Sequence, residues 1–164
     1  IVVMQDVYSL NQAGSTICAI MIQVKQQLHI GVYGVLQRGN KVLVVHKSRG
    51  PYKGKFDLPG GRPQHGESIT QTLQREFMEE TGFSPNNFHF LINQTFLVPY
   101  INAQNEACEL YHIALIYRVT DHDIPSALTQ ICEEDVAGSS WVSKELLSEE
   151  NSSPLLLGAL HESL

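Results

Sequence analysis

Short apolar runs, divided by turn residues, make up most of the chain. The runs that predict strands are residues 1–10, 17–24, 29–37, 41–46, 88–98, 110–119 and 136–142. Residues 11–15 predict a turn, and the sequence Arg38-Gly39-Asn40 between two of the runs predicts a hairpin. Residues 48–61 are rich in Gly and Pro and predict an irregular loop.

Two segments have the features of helices. Residues 67–81 contain neither Gly nor Pro, and Gly82 follows them at the position where helices commonly end. Near the end of the chain, Ser153 and Pro154 predict the N-cap and first residue of a second helix. Residues 144–147 predict a single helical turn. Strands on both sides of a central helix predict a mixed α/β (α+β) fold built on a mixed sheet.

The length of 164 residues suits a single domain with a sizeable core. No stretch of the sequence has the length and composition of a linker that would divide it. We predict that residues 28–164 form the main domain. We expect residues 1–27 to be an N-terminal extension that adds strands to the same domain.

The central helix carries carboxylates on the edge of its apolar face. With 100° per residue and Phe77 taken as zero, Leu73 falls at roughly −40° and Ile69 at roughly −80°. On the same construction Glu80 falls at roughly −60° and Glu76 at roughly −100°. Two carboxylates therefore lie within or beside the stripe that faces the core, although charged runs on helices are usually solvated.

A bound cation explains this crowding of negative charge. Glu76 and Glu80 are four residues apart, where like charges repel, and burying them without a partner is unfavourable. Glu79 adds a third charge, and Arg75 can neutralise only one of the three. Oxygen ligands with no His or Cys beside them favour Mg²⁺ or Mn²⁺ over zinc.

The loop before the helix adds groups that suit a phosphorylated ligand. Gly60-Gly61 lets the backbone approach a ligand closely, so that a carbonyl oxygen becomes available to a metal. Arg49, Lys53 and Lys55 place three cations near the predicted metal site, which suits a polyphosphate. The alternative is that these are solvated loop charges. The pattern G-x-x-x-x-G-K-[ST] of a P-loop is absent.

Composition narrows the classes of function that remain. The net charge of −6 does not suit a protein that coats nucleic acid, and no apolar run approaches the roughly 20 residues of a membrane span. Cys18, Cys108 and Cys132 are odd in number and lack CxxC spacing, so we expect reduced thiols. No signal-peptide pattern is evident, and the expected location is cytoplasmic.

The stretch from Gly61 to Phe83 resembles the signature of the Nudix (MutT-like) hydrolase family. That signature is G-x5-E-x7-R-E-U-x-E-E-x-G-U, in which U is a bulky apolar residue. The matching positions are Gly61, Glu67, Arg75, Glu76, Phe77, Glu79, Glu80, Gly82 and Phe83. All nine specified positions match without a gap, and a weaker resemblance extends over residues 28–160. The resemblance implies a Nudix fold, which is a mixed β-sheet sandwiched between helices.

The resemblance also implies an activity and a metal site. Family members hydrolyse the pyrophosphate bond of a nucleoside diphosphate linked to another group, with Mg²⁺ or Mn²⁺ as cofactor. Carried over by position, Glu76 and Glu80 are the main metal ligands. Glu79 then binds the metal directly or through water, and Gly61 offers its carbonyl oxygen.

Further catalytic roles follow from the same resemblance. Glu67 assists the metal shell, Arg75 holds the glutamates in place, and an activated water attacks one phosphorus. Glu79 and Glu80 belong to this catalytic set. The general base lies on the helix or in a later loop in this family, and Glu134 is the downstream candidate. A solvated acidic turn is the alternative interpretation of that position.

The substrate contacts expected from the loop are Arg49, Lys53, Lys55 and Tyr52. Two positional marks of family substrates conflict, because Pro99 suits ADP-ribose hydrolases and Tyr100 suits dinucleoside polyphosphate hydrolases. Oxidised nucleoside triphosphates also remain open. The alternative function is a nucleotide sensor or regulator without turnover. The expected partner is a small nucleotide derivative, with no stable binding to nucleic acid or membrane, and a homodimer is an expectation by analogy.

Overall fold

The protein is described by a computed structural model that covers residues 2–7, 20–120 and 136–162. Its elements in chain order are β1 (Val2–Val7), β2 (Ile20–Arg38), β3 (Lys41–Lys47), β4 (Phe56–Asp57), β5 (Gly60–Gly61), α1 (Ile69–Thr81), β6 (Phe88–Ile101), β7 (Ala107–Val119), β8 (Val136–Ser143), a 3-10 turn (Lys144–Leu146) and α2 (Pro154–Glu162). This order confirms the predicted mixed α/β fold.

The sheet of the described residues is mixed, and its longest strand organises it. Strands follow the order β4-β3-β2-β7-β6, in which β2 and β7 run parallel and the other neighbours run antiparallel. Strand β1 pairs with the first part of β2, β5 pairs with the middle of β2, and β8 pairs with β3. The assignment of residues 1–27 to the same domain remains a prediction.

Helices α1 and α2 cover opposite faces of the sheet. Successive residues of a strand point to opposite faces. On β2, Val32 packs with Leu73 and Phe77 of α1, whereas its neighbour Tyr33 belongs to the cluster that contains Leu155 of α2. The predicted arrangement of a sheet between two helices is therefore confirmed.

Two details of the local predictions were wrong. The described part of the first run, residues 20–24, and the run at 29–37 belong to the one strand β2, because the polar residues between them keep pairing with β7, from Lys25 opposite Cys108 onward. Backbone ladder bonds do not require apolar side chains. The loop at 48–61 also contains the two short strands β4 and β5.

Helix α1 begins two residues later than predicted. Ser68 is the N-cap: its hydroxyl accepts a hydrogen bond from Gln71 N at 3.2 Å, and Gln71 Oε1 accepts one from Ser68 N at 2.8 Å. This reciprocal capping box ends the loop at Ser68 and leaves Glu67 outside the helix. Gly82, with φ +73°, ends the helix as predicted.

No helix in the described ranges is both long and apolar enough to cross a membrane. Cys108 is a buried free thiol, as expected, whereas Cys18, Cys132 and the predicted turn at 11–15 lie outside the described residues.

Candidate active site

The short strand β5 brings the glycine pair against helix α1. Gly61 pairs with Val32 and Gly60 with Tyr33 of β2, at the level where α1 crosses the sheet. Gly60 has φ +142°, a conformation that side chains rarely adopt, and its N–H donates to Glu80 Oε2 at 2.8 Å. The bend at Gly60 therefore connects the loop directly to a helix carboxylate.

Arg75 links three carboxylates: Glu67 in the loop before α1, and Glu76 and Glu79 in the second half of α1. Its Nε lies 2.6 Å from Glu67 Oε1, and its Nη1 lies 2.8 Å from both Glu76 Oε1 and Glu79 Oε2. Its Nη2 also donates to Glu67 Oε2 at 3.0 Å and to the carbonyl of Arg62 at 3.1 Å. The guanidinium thus uses its fixed fork of donors to hold the glutamates and the loop together.

These contacts shift the pKa of both partners. The hydrogen bonds from Arg75 lower the pKa of Glu67 to about 2, with a further contribution from the backbone N–H of Gln64 at 2.8 Å. In return, the hydrogen bond to Glu67 raises the pKa of Arg75. Both groups therefore stay charged over the whole physiological range of pH.

We call Glu67, Glu76, Glu79 and Glu80 the glutamate cluster. Glu80 is its most deeply buried carboxylate, with 4% of the residue exposed. Besides its bond with Gly60, its Oε1 lies 4.0 Å from Lys47 Nζ. The side chain of Glu79, the residue immediately before it, points about 100° away around the helix axis and is 41% exposed. The helix therefore presents one buried and one accessible carboxylate at the same end of the site.

A cavity of about 300 Å³ lies next to this cluster and shares Lys47 with it. Its lining residues are His29, Tyr33, Lys47, Arg49, Gly50, Pro51, Tyr52, Asp57, Leu110 and His112. The lining thus includes two cations, two tyrosines and two histidines. Such a lining suits an anionic ligand with hydrogen-bond acceptors.

His112 is a buried residue of the cavity lining and contacts two tyrosine hydroxyls. Its Nε2 lies 2.9 Å from the Tyr33 hydroxyl, and its Nδ1 lies 2.9 Å from the Tyr52 hydroxyl. Burial, with smaller contributions from the nearby His29 and Lys47, lowers the pKa of His112 to about 4. The imidazole is therefore neutral at pH 7.

Comparison with known proteins decides the family. The sequence model of the NUDIX domain matches residues 25–157, which is most of the chain. The chain belongs to the Nudix family.

The chain is 39% identical to the ADP-ribose pyrophosphatase of Methanocaldococcus jannaschii over 56 residues, which cover 34% of this chain and 33% of that protein. It is 40% identical to the oxidized purine nucleoside triphosphate hydrolase of Danio rerio over 62 residues, or 38% and 39% of the two chains. The chain thus matches 33% of the length of the first relative and 39% of the length of the second.

Solved Nudix structures share the fold. The MutT NUDIX hydrolase from Burkholderia pseudomallei superimposes with a TM-score of 0.64 at 21% identity, over 84% of this chain and 99% of that one. The NUDIX domain of Shewanella oneidensis NrtR, solved in complex with ADP ribose, gives a TM-score of 0.58 at 20% identity, over 85% and 86%. At these identities the likeness supports the architecture, and it confirms the predicted Nudix fold.

Helix α1 and the loop before it carry the oxygen ligands that a hard cation requires. Among the described residues, no three or more His, Cys, Asp or Glu side chains are already positioned to coordinate one metal ion. Glu76 and Glu79 instead share Arg75 Nη1. The donors are nevertheless all oxygen, and Glu76 packs against Gly61 so tightly that a Cβ there would lie 2.6 Å from the carboxylate. The residues therefore fit Mg²⁺ or Mn²⁺ by their chemistry.

The structure brings together only part of the predicted substrate set. Arg49 and Tyr52 line the cavity. Lys55 Nζ instead donates to the carbonyls of Glu149 at 2.8 Å and Ser152 at 3.3 Å, away from the cavity. Lys53 is exposed and is not among the lining residues. The predicted roles of these residues remain predictions, and the predicted downstream base Glu134 lies outside the described residues.

Sequence reasoning missed the residues that β2, β3 and β7 contribute to the cavity. Lys47 is the last residue of β3, and nothing local distinguishes it from a solvated lysine. His29 and His112 are direct partners in the parallel pairing of β2 with β7. Only a correct alignment of these two strands would have predicted from the sequence that His29 and His112 lie side by side.

The contact between Gly61 and Glu76 leads to a testable prediction. In Gly61→Ala the new methyl group would lie 2.6 Å from the Glu76 carboxylate, so this side chain must move. We expect the affinity for Mg²⁺ to fall about tenfold, as when the support of a metal ligand is lost. Calorimetric titration with Mg²⁺ measures the effect, and Gly39→Ala, where an added Cβ meets nothing within 4 Å, is the control. Equal affinities for Mg²⁺ in both variants would contradict the assignment of Glu76 as a metal ligand.

The buried His112 predicts a pH dependence of stability. Its pKa in the folded protein, about 4, lies below the value of about 6.5 for an exposed histidine, so the unfolded chain binds the proton first as the pH falls. Its contribution to stability is complete above about pH 6.5 and is lost as the pH falls toward 4. Between pH 7 and pH 4, we expect the unfolding free energy of the native protein to fall by about 3 kcal/mol more than that of His112→Gln. Urea unfolding at a series of pH values measures this, and parallel curves for the two proteins would refute it.

Proposed function

We propose that the chain hydrolyses the pyrophosphate bond of a nucleoside diphosphate derivative in a reaction that depends on Mg²⁺ or Mn²⁺. The observation that carries this proposal is the contact between the Nudix glutamates and a cationic cavity. Glu80 and Lys47 form the boundary, with the glutamate cluster on one side and the 300 Å³ cavity on the other. A phosphate chain that lay across this boundary would meet both the metal ligands and the cations.

The residues divide the work by their charge and exposure. Glu76, Glu79, Glu80 and the carbonyl of Gly61 would hold the metal, which when bound supplies positive charge against the phosphoryl oxygens. Glu79 is the most accessible of these glutamates and is the best placed to accept a proton from an attacking water. Arg75 is a positioning residue, since its donors are all committed to holding other groups.

Lys47 and Arg49 would neutralise the phosphates of the substrate. Both line the cavity, and the side chain of Lys47 is 13% exposed, which strengthens its electrostatic interactions. Asp57 is also at the cavity, but its Oδ1 accepts hydrogen bonds from Ser153 Oγ at 2.6 Å and Leu58 N at 2.9 Å. This carboxylate therefore anchors the start of α2 to the cavity wall.

The substrate class is supported by the names of two relatives. One is named for ADP-ribose and the other for oxidised purine nucleoside triphosphates, and both compounds contain the pyrophosphate bond. We propose these two classes first, with dinucleoside polyphosphates as a third. A cytoplasmic location and a homodimer remain predictions.

A panel of nucleotides tests the proposal. ADP-ribose, diadenosine polyphosphates, NADH, nucleotide sugars, ordinary dNTPs and 8-oxo-dGTP are each incubated with Mg²⁺, and the products are separated by chromatography. We expect one class to be cleaved at the pyrophosphate bond, with no cleavage when EDTA is present. Nucleotide binding without cleavage across the panel would overturn the enzyme and favour a sensor.

A further inference from the structure

Five polar side chains connect the edge of the glutamate cluster with the cavity. They form four consecutive contacts across β2, β7 and two loops, and we call this series the Tyr52 relay. The contacts are Arg62 Nη2 to His29 Nδ1 at 3.4 Å, His29 Nε2 to Tyr33 Oη at 3.1 Å, Tyr33 Oη to His112 Nε2 at 2.9 Å, and His112 Nδ1 to Tyr52 Oη at 2.9 Å.

The first contact fixes the direction of the protons. A guanidinium only donates, so Nδ1 of His29 must accept from Arg62. A neutral imidazole carries its single proton on the other nitrogen, so His29 Nε2–H donates to the Tyr33 hydroxyl. The Tyr33 oxygen is then an acceptor in this contact.

The contact between Tyr33 and His112 then has a fixed donor as well. Tyr33 is buried, and its hydroxyl contacts two histidine nitrogens among the described residues. If both histidines donated to it, its own proton would be buried without an acceptor, which folded proteins avoid. Tyr33 therefore donates to His112 Nε2, and the proton of His112 lies on Nδ1, from which it donates to Tyr52.

The surroundings of His112 keep its imidazole neutral, and the donors and acceptors of the relay therefore stay as described. His29 and Tyr33 face it from β2, Lys47 approaches from β3, Tyr52 from the loop, and Phe96 from β6. Burial is the main factor that opposes a second proton on the imidazole, and the positive charge of Lys47 adds to it.

The Tyr52 oxygen therefore receives a hydrogen bond from inside the protein, which leaves its own proton for the cavity. We propose that the Tyr52 relay fixes this hydroxyl as a hydrogen-bond donor to a phosphate oxygen of the bound ligand. A phosphate oxygen only accepts, and Lys47 and Arg49 line the same cavity. This inference rests on the proposed function, because it names the group that binds beside the glutamates.

The relay is tested without any substrate. In protein labelled with ¹⁵N-histidine, two-bond proton–nitrogen spectra at pH 7 report the tautomer of each imidazole. We expect the Nδ1–H tautomer for His112 and the Nε2–H tautomer for His29. An Nε2–H tautomer or a cation at His112 would overturn the relay, whatever the enzyme's substrate.

The ligand contact is tested with inorganic pyrophosphate, which is common to the proposed substrates. We expect Tyr52→Phe to raise its Kd about tenfold, since a donor to a charged acceptor is lost. Tyr111→Phe removes a hydroxyl from an exposed tyrosine on the same strand as His112 and should leave the Kd unchanged. Equal Kd values for the two variants, or no binding of pyrophosphate by the native protein, would overturn the phosphate assignment. If no nucleotide of the panel is cleaved but Tyr52→Phe still weakens pyrophosphate binding, the proposed hydrolysis is refuted and the phosphate contact of Tyr52 stands.

Discussion

Replacing Glu80 with glutamine is expected to lower kcat about a thousandfold without unfolding the protein. The carboxylate is buried, and its negative charge is what a bound cation would require. Glutamine has the same shape, and its amide oxygen can still accept the hydrogen bond from Gly60 N. The variant therefore removes the charge and retains the structural contact.

This prediction is measured on the nucleotide that the panel identifies, with circular dichroism as the check on folding. Glu150→Gln makes the same chemical change at an exposed position outside the site and should keep full activity. A folded Glu80→Gln protein with native turnover would remove Glu80 from the metal site. Loss of activity in both variants would point to a general effect of charge instead.

The second large effect is expected at Gly60, where alanine should destabilise the fold by about 4 kcal/mol. Gly60 combines φ +142° with close packing: an added Cβ would lie 2.2 Å from the carbonyl oxygen of Val32 and 2.7 Å from Cα of Tyr33. Both are backbone atoms of the central strand and cannot move alone. The change would therefore separate β5 from β2 and break the contact with Glu80.

Gly54→Ala is the matched control, because it separates backbone conformation from packing. Gly54 also has a positive φ, +80°, but an added Cβ there meets nothing within 4 Å. We expect it to cost about 1 kcal/mol, the cost of a left-handed conformation alone. Chemical unfolding of both variants measures the difference. Similar losses at the two positions would show that packing against β2 is not what Gly60 provides.

The sequence by itself determined the helix and the family. The Nudix signature, the termination at Gly82 and the position of Glu80 on the apolar side of α1 all depend on neighbours within a few residues. Helical periodicity links such positions directly, so the burial of Glu80 beside Phe77 could be predicted from spacing alone. The second helix, with Ser153 as its N-cap, was predictable for the same reason.

The tertiary structure alone decided which polar groups meet across the sheet. The contact of Lys47 with Glu80 joins residues on a strand and a helix. His112 meets Tyr33 and Tyr52 over separations of 79 and 60 residues. The contact between Tyr33 and His112 depends on the parallel alignment of β2 with β7, and a shift of one residue would turn His112 to the other face of the sheet. Strand alignment is fixed by the packing of the whole core, which no local pattern in the sequence records.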